Sequence, residues 1–276
     1  MRLIVTFFFV LILQFYSCLN RTKESQDTAN EASELNKVDT MFGQYRSDVF
    51  YHYSIWWAFV NKVFEGDITA GELKAKGDLA LGSYNLLDGE LIMLDGILYQ
   101  AKENGEVVHP NDSIKIAYAN AAFFDQDGIF NILKADNYDC LRDSIHAQLP
   151  SKNYFYAFKI KGDFIKMTCG GLHKQEAPFE KGLDVLIPAR PVFERKNFKG
   201  TMVGFYCPEF IGNINVSGFH LHFVSDDGKF AGHVMEFEAE NLTIEFDEMT
   251  EYQFVLPHTE AYENVGFDKE FQYKKK

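Results

Sequence analysis

The chain has 276 residues, of which 46% are apolar and 24% charged, a globular composition that argues against a disordered chain, a collagen-like fibre or a coiled coil. Asp and Glu outnumber Lys and Arg by 40 to 27, which gives a formal net charge of −13. Nucleic-acid binding requires clustered basic residues, and the only such cluster is the terminal Lys274-Lys275-Lys276. The composition therefore argues against a nucleic-acid-binding protein.

The first 18 residues have the pattern of a secretory signal peptide. Arg2 precedes an apolar run from Leu3 to Leu13 that is too short to span a bilayer. Cys18 follows Ser17, as at a bacterial lipoprotein cleavage site, although Phe15 stands where that motif usually has Leu. We expect export, either as a lipoprotein anchored to the membrane through Cys18 or as a periplasmic or secreted protein cut nearby.

Residues 19–40 are polar and without apolar periodicity, so they are predicted to form a disordered tether. The folded domain is expected to begin near residue 41. Its aromatic-rich segment 49–64 predicts a strand or short helix that buries Trp56 and Trp57. Residues 68–76 predict a short helix with Thr69 as its N-cap.

Residues 77–100 predict a three-stranded meander. Two Asp-Gly pairs, Asp88-Gly89 and Asp95-Gly96, separate its apolar runs, and this dipeptide is the strongest short hairpin signal.

The segments after residue 135 predict further strands, one helix and loops. They predict a helix at 136–149, a strand at 154–160, loops at 178–191 and four or five strands at 200–256. The chain is therefore β-rich with a few helices, of the α+β or mixed α/β class.

Three histidines are spaced to meet on one hairpin. His220 and His222 are two residues apart in a predicted strand, so they share a face. If Asp227 and Gly228 form the two-residue turn, His222 lies directly opposite His233. Three imidazoles on one face can hold a metal ion and leave a fourth position open. Zinc is the favoured ion, while copper, iron and nickel also bind imidazole.

Longer blocks carry a family resemblance. The segments are GDITAGELKAKGDLALGSYNLLDGELIMLDGILYQ, NYFYAFKIKGDF and FKGTMVGFYCPEFIGNINVSGFHLHFVSDDGKFAGHV. In this order, between about Tyr45 and Phe267, they resemble the alpha-acetolactate decarboxylases, most specifically in the LDGEL block and the SGxHLHF…GH block.

This resemblance implies mixed and antiparallel sheets in two closely packed subdomains, about 41–165 and 166–270. It also implies decarboxylation of 2-acetolactate to acetoin and CO2 with Zn2+ on the same three histidines. The family's active-site Glu falls on Glu90, and its active-site Thr falls on Ser83. With Asp88-Gly89 as a two-residue turn, Leu87 would face Glu90 and share a strand face with Ser83, so both catalytic candidates would line one pocket.

Two family residues have no counterpart here. The family's active-site Arg aligns with Gly170 or Gly171, so Lys166, Lys174 or His173 would have to substitute. Lys is a poor replacement for a bidentate Arg.

The second absent residue is a Glu near the C terminus, for which Glu270 is the nearest substitute. Two alternatives therefore stay open: an exported metal-binding homologue with another 2-hydroxy-3-oxo acid as substrate, or one without catalysis. The expected partner is a small-molecule substrate, and the sequence is compatible with a homodimer.

Overall fold

The computed structural model describes residues 48–269. The predicted signal segment, the predicted tether and Glu270 lie outside this range. Within it, no helix is both long and apolar enough to cross a membrane.

The first sheet has seven strands in the order β12-β1-β6-β2-β3-β4-β5. Their bounds are β1 Val49–Tyr53, β2 Leu79–Tyr84, β3 Glu90–Leu94, β4 Ile97–Ala101, β5 Val107–Val108, β6 Ile116–Ala122 and β12 Glu251–Val255. Strand β12 pairs parallel to β1, and the other pairings are antiparallel. The predicted meander is confirmed as β2-β3-β4.

The second sheet has five strands in the order β10-β9-β8-β11-β7, with an additional pairing of β10 with β11. Its strands are β7 Gly128–Ala135, β8 Phe155–Gly170, β9 Val192–Cys207, β10 Gly218–Ser225 and β11 Ala231–Met249. The sheets are not consecutive halves of the chain, and the subdomain boundary expected near residue 165 falls inside β8.

Five α-helices occur in the described range: α1 Trp56–Val60, α2 Ala70–Lys74, α3 Tyr138–Gln148, α4 Leu183–Leu186 and α5 Glu260–Glu263. The predicted cap of α2 is confirmed, because the Thr69 hydroxyl accepts from the Glu72 N–H and the Glu72 carboxylate accepts from the Thr69 N–H.

The expectation that both tryptophans are buried is wrong. Trp56 and Trp57 are only partly buried at the start of α1. The segment splits into β1 and α1 at Ser54, whose φ of 67° interrupts the strand, so the tryptophans lie beyond the sheet.

The two sheets pack against each other through a shared apolar core. Phe50 and Leu81 of the first sheet lie in one buried cluster with Val203 and Phe205 of the second. The second sheet also contributes to another core, which contains Leu141, Ile145, Tyr156 and Phe158 and is covered by α3. This packing places β3 of the first sheet beside β10 and β11 of the second.

Candidate active site

The three histidines lie together on the β10–β11 hairpin. His222 pairs directly with His233, and Val224 pairs with Ala231, so the predicted register around Asp227-Gly228 is confirmed. The ring centroids of His220, His222 and His233 lie 5.1, 5.1 and 5.3 Å apart. One nitrogen from each ring lies within 4.8 Å of the other two, close enough for all three to bind one metal ion.

The surroundings of His222 also fit a metal ligand. Its Nδ1 lies 2.8 Å from the backbone oxygen of Leu91, to which it can donate a hydrogen bond. Its Nε2 is buried without a hydrogen-bond partner. A ligand imidazole commonly has this arrangement, with one nitrogen donating to a carbonyl and the other presenting its lone pair to the metal.

Burial keeps the imidazoles of His222 and His233 neutral, the form that binds a metal. It lowers the pKa of His222 to about 4, with a smaller contribution from the Arg190 charge in the same direction. The pKa of His233 lies well below its ordinary value, chiefly through burial and then through the neighbouring imidazoles.

Glu90 and Ser83 face each other across β2 and β3, although not through the predicted turn. Ser83 pairs directly with Glu90, and residues 85–89 form a longer connection that begins with a 3₁₀ turn. The prediction of a two-residue turn at Asp88-Gly89 is therefore wrong. Leu86 and Leu87 adopt φ values of 62° and 56°, and the loop is longer. The shared face was nevertheless predicted correctly.

The carboxyl group of Glu90 lies beside the histidines. One of its oxygens is 3.6 Å from Nε2 of His222. Burial raises the pKa of Glu90 to about 7, against the opposing effect of the Arg190 charge. Near neutral pH this carboxyl can hold a proton next to an uncharged imidazole, so the contact is not an ordinary ion pair.

The three substitutes that the sequence suggested for the absent Arg already have acidic partners. Lys166 pairs with Glu194 at 3.1 Å, although it reaches the cavity wall. The other two contacts are Lys174 with Asp88 at 3.1 Å and His173 with Glu103 at 3.0 Å.

The arginine that enters the cavity is Arg190, which the sequence analysis missed. It precedes β9 and lines the same cavity as Ser83, Glu90 and the three histidines. Its backbone N–H and its Nε both donate to the carbonyl of Ile187, at 3.3 and 3.1 Å. No local spacing signals this residue, because only the pairing of β8 with β9 and β11 brings it to the histidines.

The cavity has a volume of about 1080 Å³ and one predominantly apolar wall. That wall is formed by Trp56, Phe59, Tyr118, Leu172, Leu183 and Ile187. The cavity therefore combines three imidazoles, a protonatable carboxyl, a hydroxyl and a guanidinium with an apolar lining. This is the usual composition of a small-molecule site.

Comparison with known proteins gives consistent matches. The model of the alpha-acetolactate decarboxylase family matches residues 50–269. The alpha-acetolactate decarboxylase of Methanosarcina mazei is 30% identical over 258 residues, covering 92% of this chain and 89% of the relative. That of Brevibacillus brevis is 34% identical over 215 residues, covering 78% and 75%.

A solved structure has the same fold. The crystal structure of alpha-acetolactate decarboxylase from Bacillus subtilis strain 168 superposes with a TM-score of 0.77 at 30% identity, covering 80% of this chain and 94% of that one. A Staphylococcus aureus protein of unknown function, described as similar to alpha-acetolactate decarboxylase, superposes with a TM-score of 0.76 at 28% identity, covering 79% and 95%.

Proposed function

The chain belongs to the alpha-acetolactate decarboxylase family and is a carboxy-lyase, and we propose that it converts 2-acetolactate to acetoin and CO2 with Zn2+ on His220, His222 and His233. The observation that carries this proposal is the buried, unpartnered Nε2 of His222, 3.6 Å from the Glu90 carboxyl and beside two further imidazoles. This observation supports a metal ligand and a proton donor that lie side by side in the cavity.

The reaction explains why these groups are needed. Loss of CO2 breaks the bond between the carboxyl carbon and C2 and leaves an electron pair that spreads onto the neighbouring ketone oxygen. When a metal is bound, it supplies a Lewis acid that stabilises this developing negative charge. His222 and His233 contribute by staying neutral, and the ring of His222 is oriented through the Leu91 carbonyl.

Glu90 then supplies the proton that the product needs at C2. Its pKa of about 7 allows it to be protonated near neutral pH and to act as a general acid. Because it approaches from β3, on one side of the histidines, the proton is delivered to one face of C2 and sets the configuration of acetoin.

Ser83 and the apolar wall complete the site. The Ser83 hydroxyl lies opposite Glu90 and donates weakly to the Tyr84 carbonyl at 3.3 Å. It can turn from that bond to orient the substrate hydroxyl. Trp56, Phe59 and the other apolar residues exclude water, which strengthens the electrostatic interactions inside the cavity.

The test is to load the purified protein with Zn2+, add racemic 2-acetolactate and measure acetoin, CO2 and bound metal. We expect one acetoin per CO2 and about one Zn2+ per chain. A folded, zinc-loaded protein that produces no acetoin would contradict the proposed substrate. Full activity after complete removal of divalent metal would contradict the metal proposal.

The export predicted from residues 1–18 is also a proposal. It is supported by the apolar run before Cys18. Expression of the full chain followed by fractionation tests it: the wild type is expected in the membrane fraction, and a Cys18→Ala variant is expected to lose lipid labelling. Retention of the uncleaved wild-type chain in the cytosol would contradict export.

A further inference from the structure

The substrate of the proposed reaction carries a carboxylate into a cavity whose inner part is lined by the buried Ser83, Glu90 and His222. A buried carboxylate is costly unless a cation or several donors compensate it. The cavity wall contains two cationic side chains among the described residues, Lys166 and Arg190. Either side chain is a candidate to bind the substrate carboxylate.

Lys166 is poorly suited to this role. Its side chain is 38% exposed, and its ammonium group lies 3.1 Å from the carboxylate of Glu194. That partner raises the pKa of Lys166 by hydrogen bonding and charge. Lys166 therefore lies at the exposed edge of the cavity and offers a single point charge in place of paired donors.

From the position of Arg190 we infer that its guanidinium binds the substrate carboxylate and that it reaches the pocket through the space left by Gly170. This inference rests on the proposed function, because it assigns the part of the site that recognises the substrate anion. Arg presents paired N–H donors that match the two oxygens of a carboxylate.

The sheet register explains how Arg190 arrives there. Gly170, the last residue of β8, pairs with Val192 on one side and with His233 on the other. Directly opposed residues share a sheet face, so a side chain at position 170 would point to the same side as His233. Arg190 lies just before Val192 and extends its side chain over this position.

The fit between Arg190 and Gly170 is close. A Cβ at position 170 would lie 2.8 Å from Cδ of Arg190, 3.5 Å from its Nη1 and 2.7 Å from Sδ of Met235. The first and third distances are shorter than a normal contact, so the arginine occupies its present position only because residue 170 has no side chain. An arginine at position 170 would begin its own side chain where that of Arg190 now runs.

The electrostatics of the cavity agree with this placement. The Arg190 charge favours the ionised form of Glu90 and the neutral forms of His222 and His233. It therefore lies close enough to act on both the proton donor and the proposed metal ligands.

The reaction predicts which kinetic constant Arg190 affects most. The negative charge is on the carboxylate in the bound substrate, and it moves toward the ketone oxygen as CO2 departs. Binding the carboxylate therefore stabilises the ground state at least as much as the transition state. Loss of this contact should raise KM more than it lowers kcat.

The test compares Arg190→Gln and Arg190→Lys with the matched surface variant Arg142→Gln. Two unreactive probes separate recognition of the carboxylate from the rest of binding. The first, 2-hydroxy-2-methylbutanoate, carries the carboxylate, and the second, acetoin, lacks it. Their affinities for the zinc-loaded protein can be measured by calorimetry alongside the kinetics.

We expect Arg190→Gln to raise KM and to weaken binding of the carboxylate probe by roughly a hundredfold, the size expected for losing hydrogen bonds to a charged group. Acetoin binding should stay within about threefold, the range expected for a probe that never contacts the guanidinium. Unchanged binding of the carboxylate probe to a folded Arg190→Gln variant would overturn the inference. Absence of turnover in the wild type would instead contradict the proposed function, and the binding measurement would still decide the role of Arg190.

A second set of variants tests the route over Gly170. Gly170→Ala should displace Arg190 and raise KM, whereas Gly171→Ala should not, because its Cβ would meet no atom closer than 4.0 Å. In the double variant Gly170→Arg with Arg190→Gln, affinity for the carboxylate probe should be at least tenfold higher than in Arg190→Gln, since a guanidinium is returned to the cavity. No recovery in the folded double variant would overturn the claim that the two positions deliver a guanidinium to the same place.

Discussion

The two sheets contribute to the cavity in different ways. The second sheet supplies three imidazoles from one hairpin, within 14 consecutive residues of the chain. The first sheet supplies Glu90 and Ser83 from β3 and β2, and the loop before β9 adds Arg190. The side proposed to bind the metal is thus a local structure, whereas the side proposed to handle the proton and the carboxylate is assembled from distant segments.

This difference indicates that the two sides can be disturbed separately. The hairpin keeps its three nitrogens together through its own register, and it contacts the first sheet through the Leu91 carbonyl and the Glu90 carboxyl. Substitutions on the hairpin should therefore remove the metal and the chemistry together. Substitutions on the other side should remove the chemistry and spare the metal.

The largest effect is expected for His222→Ala, which removes one of the three imidazoles. The protein should lose its bound Zn2+, and kcat/KM should fall by roughly a thousandfold or more, since the Lewis acid contributes several kcal/mol. Metal analysis and acetoin formation measure this, with the exposed His258→Ala as control. Retention of stoichiometric zinc by His222→Ala would show that the hairpin is not the metal site.

Glu90→Gln is the matching change on the other side and keeps the size of the side chain. We expect kcat to fall roughly 10²- to 10⁴-fold, the usual contribution of a positioned general acid. Bound zinc should stay at the wild-type level. Loss of metal together with activity would break the separation between the two sides and make Glu90 part of the metal site.

A buried carboxyl outside the cavity, on the second sheet, is expected to affect stability without affecting metal binding or catalysis. Asp247 lies on β11, the strand of His233, and burial raises its pKa to about 8, with further increases from Asp127, Asp48 and Asp125. The pKa of an unfolded Asp is about 4. Between these values the folded state holds a proton that the unfolded state has lost, so Asp247 makes stability fall as pH rises from about 4 to about 8.

Asp247→Asn removes this titration. The free energies of unfolding of the variant and the wild type are measured in urea at about pH 5 and about pH 8. The difference, variant minus wild type, should be larger at about pH 8 by more than about 1.4 kcal/mol, the amount that corresponds to one unit of pKa difference. Zinc content and kcat should be unchanged. Parallel stability curves for the two proteins would show that Asp247 is ionised in the folded state.

The smallest effect is expected for Ser83→Ala. Its hydroxyl forms one weak hydrogen bond, to the Tyr84 carbonyl at 3.3 Å. Loss of a single neutral hydrogen bond to substrate corresponds to roughly a two- to tenfold decrease in kcat/KM. A decrease as large as that of Glu90→Gln would mean that Ser83 takes part in proton transfer, which steady-state kinetics in H2O and D2O would test.

The sequence by itself determined the parts of this protein that depend on neighbouring residues. The register that opposes His222 and His233 follows from a turn centred on Asp227-Gly228 and the alternation of a strand. The cap at Thr69 and the strands β2, β3 and β4 follow from equally local signals.

Only the tertiary structure decided how these parts meet. Ser83 and Glu90 oppose each other through a connection with positive φ at Leu86 and Leu87, which no turn dipeptide indicates. Arg190 reaches the histidines because β8 pairs with both β9 and β11 and because Gly170 has no side chain. Such contacts depend on the packing of strands that are far apart in the chain, and the spacing of residues in a sequence carries no record of that packing.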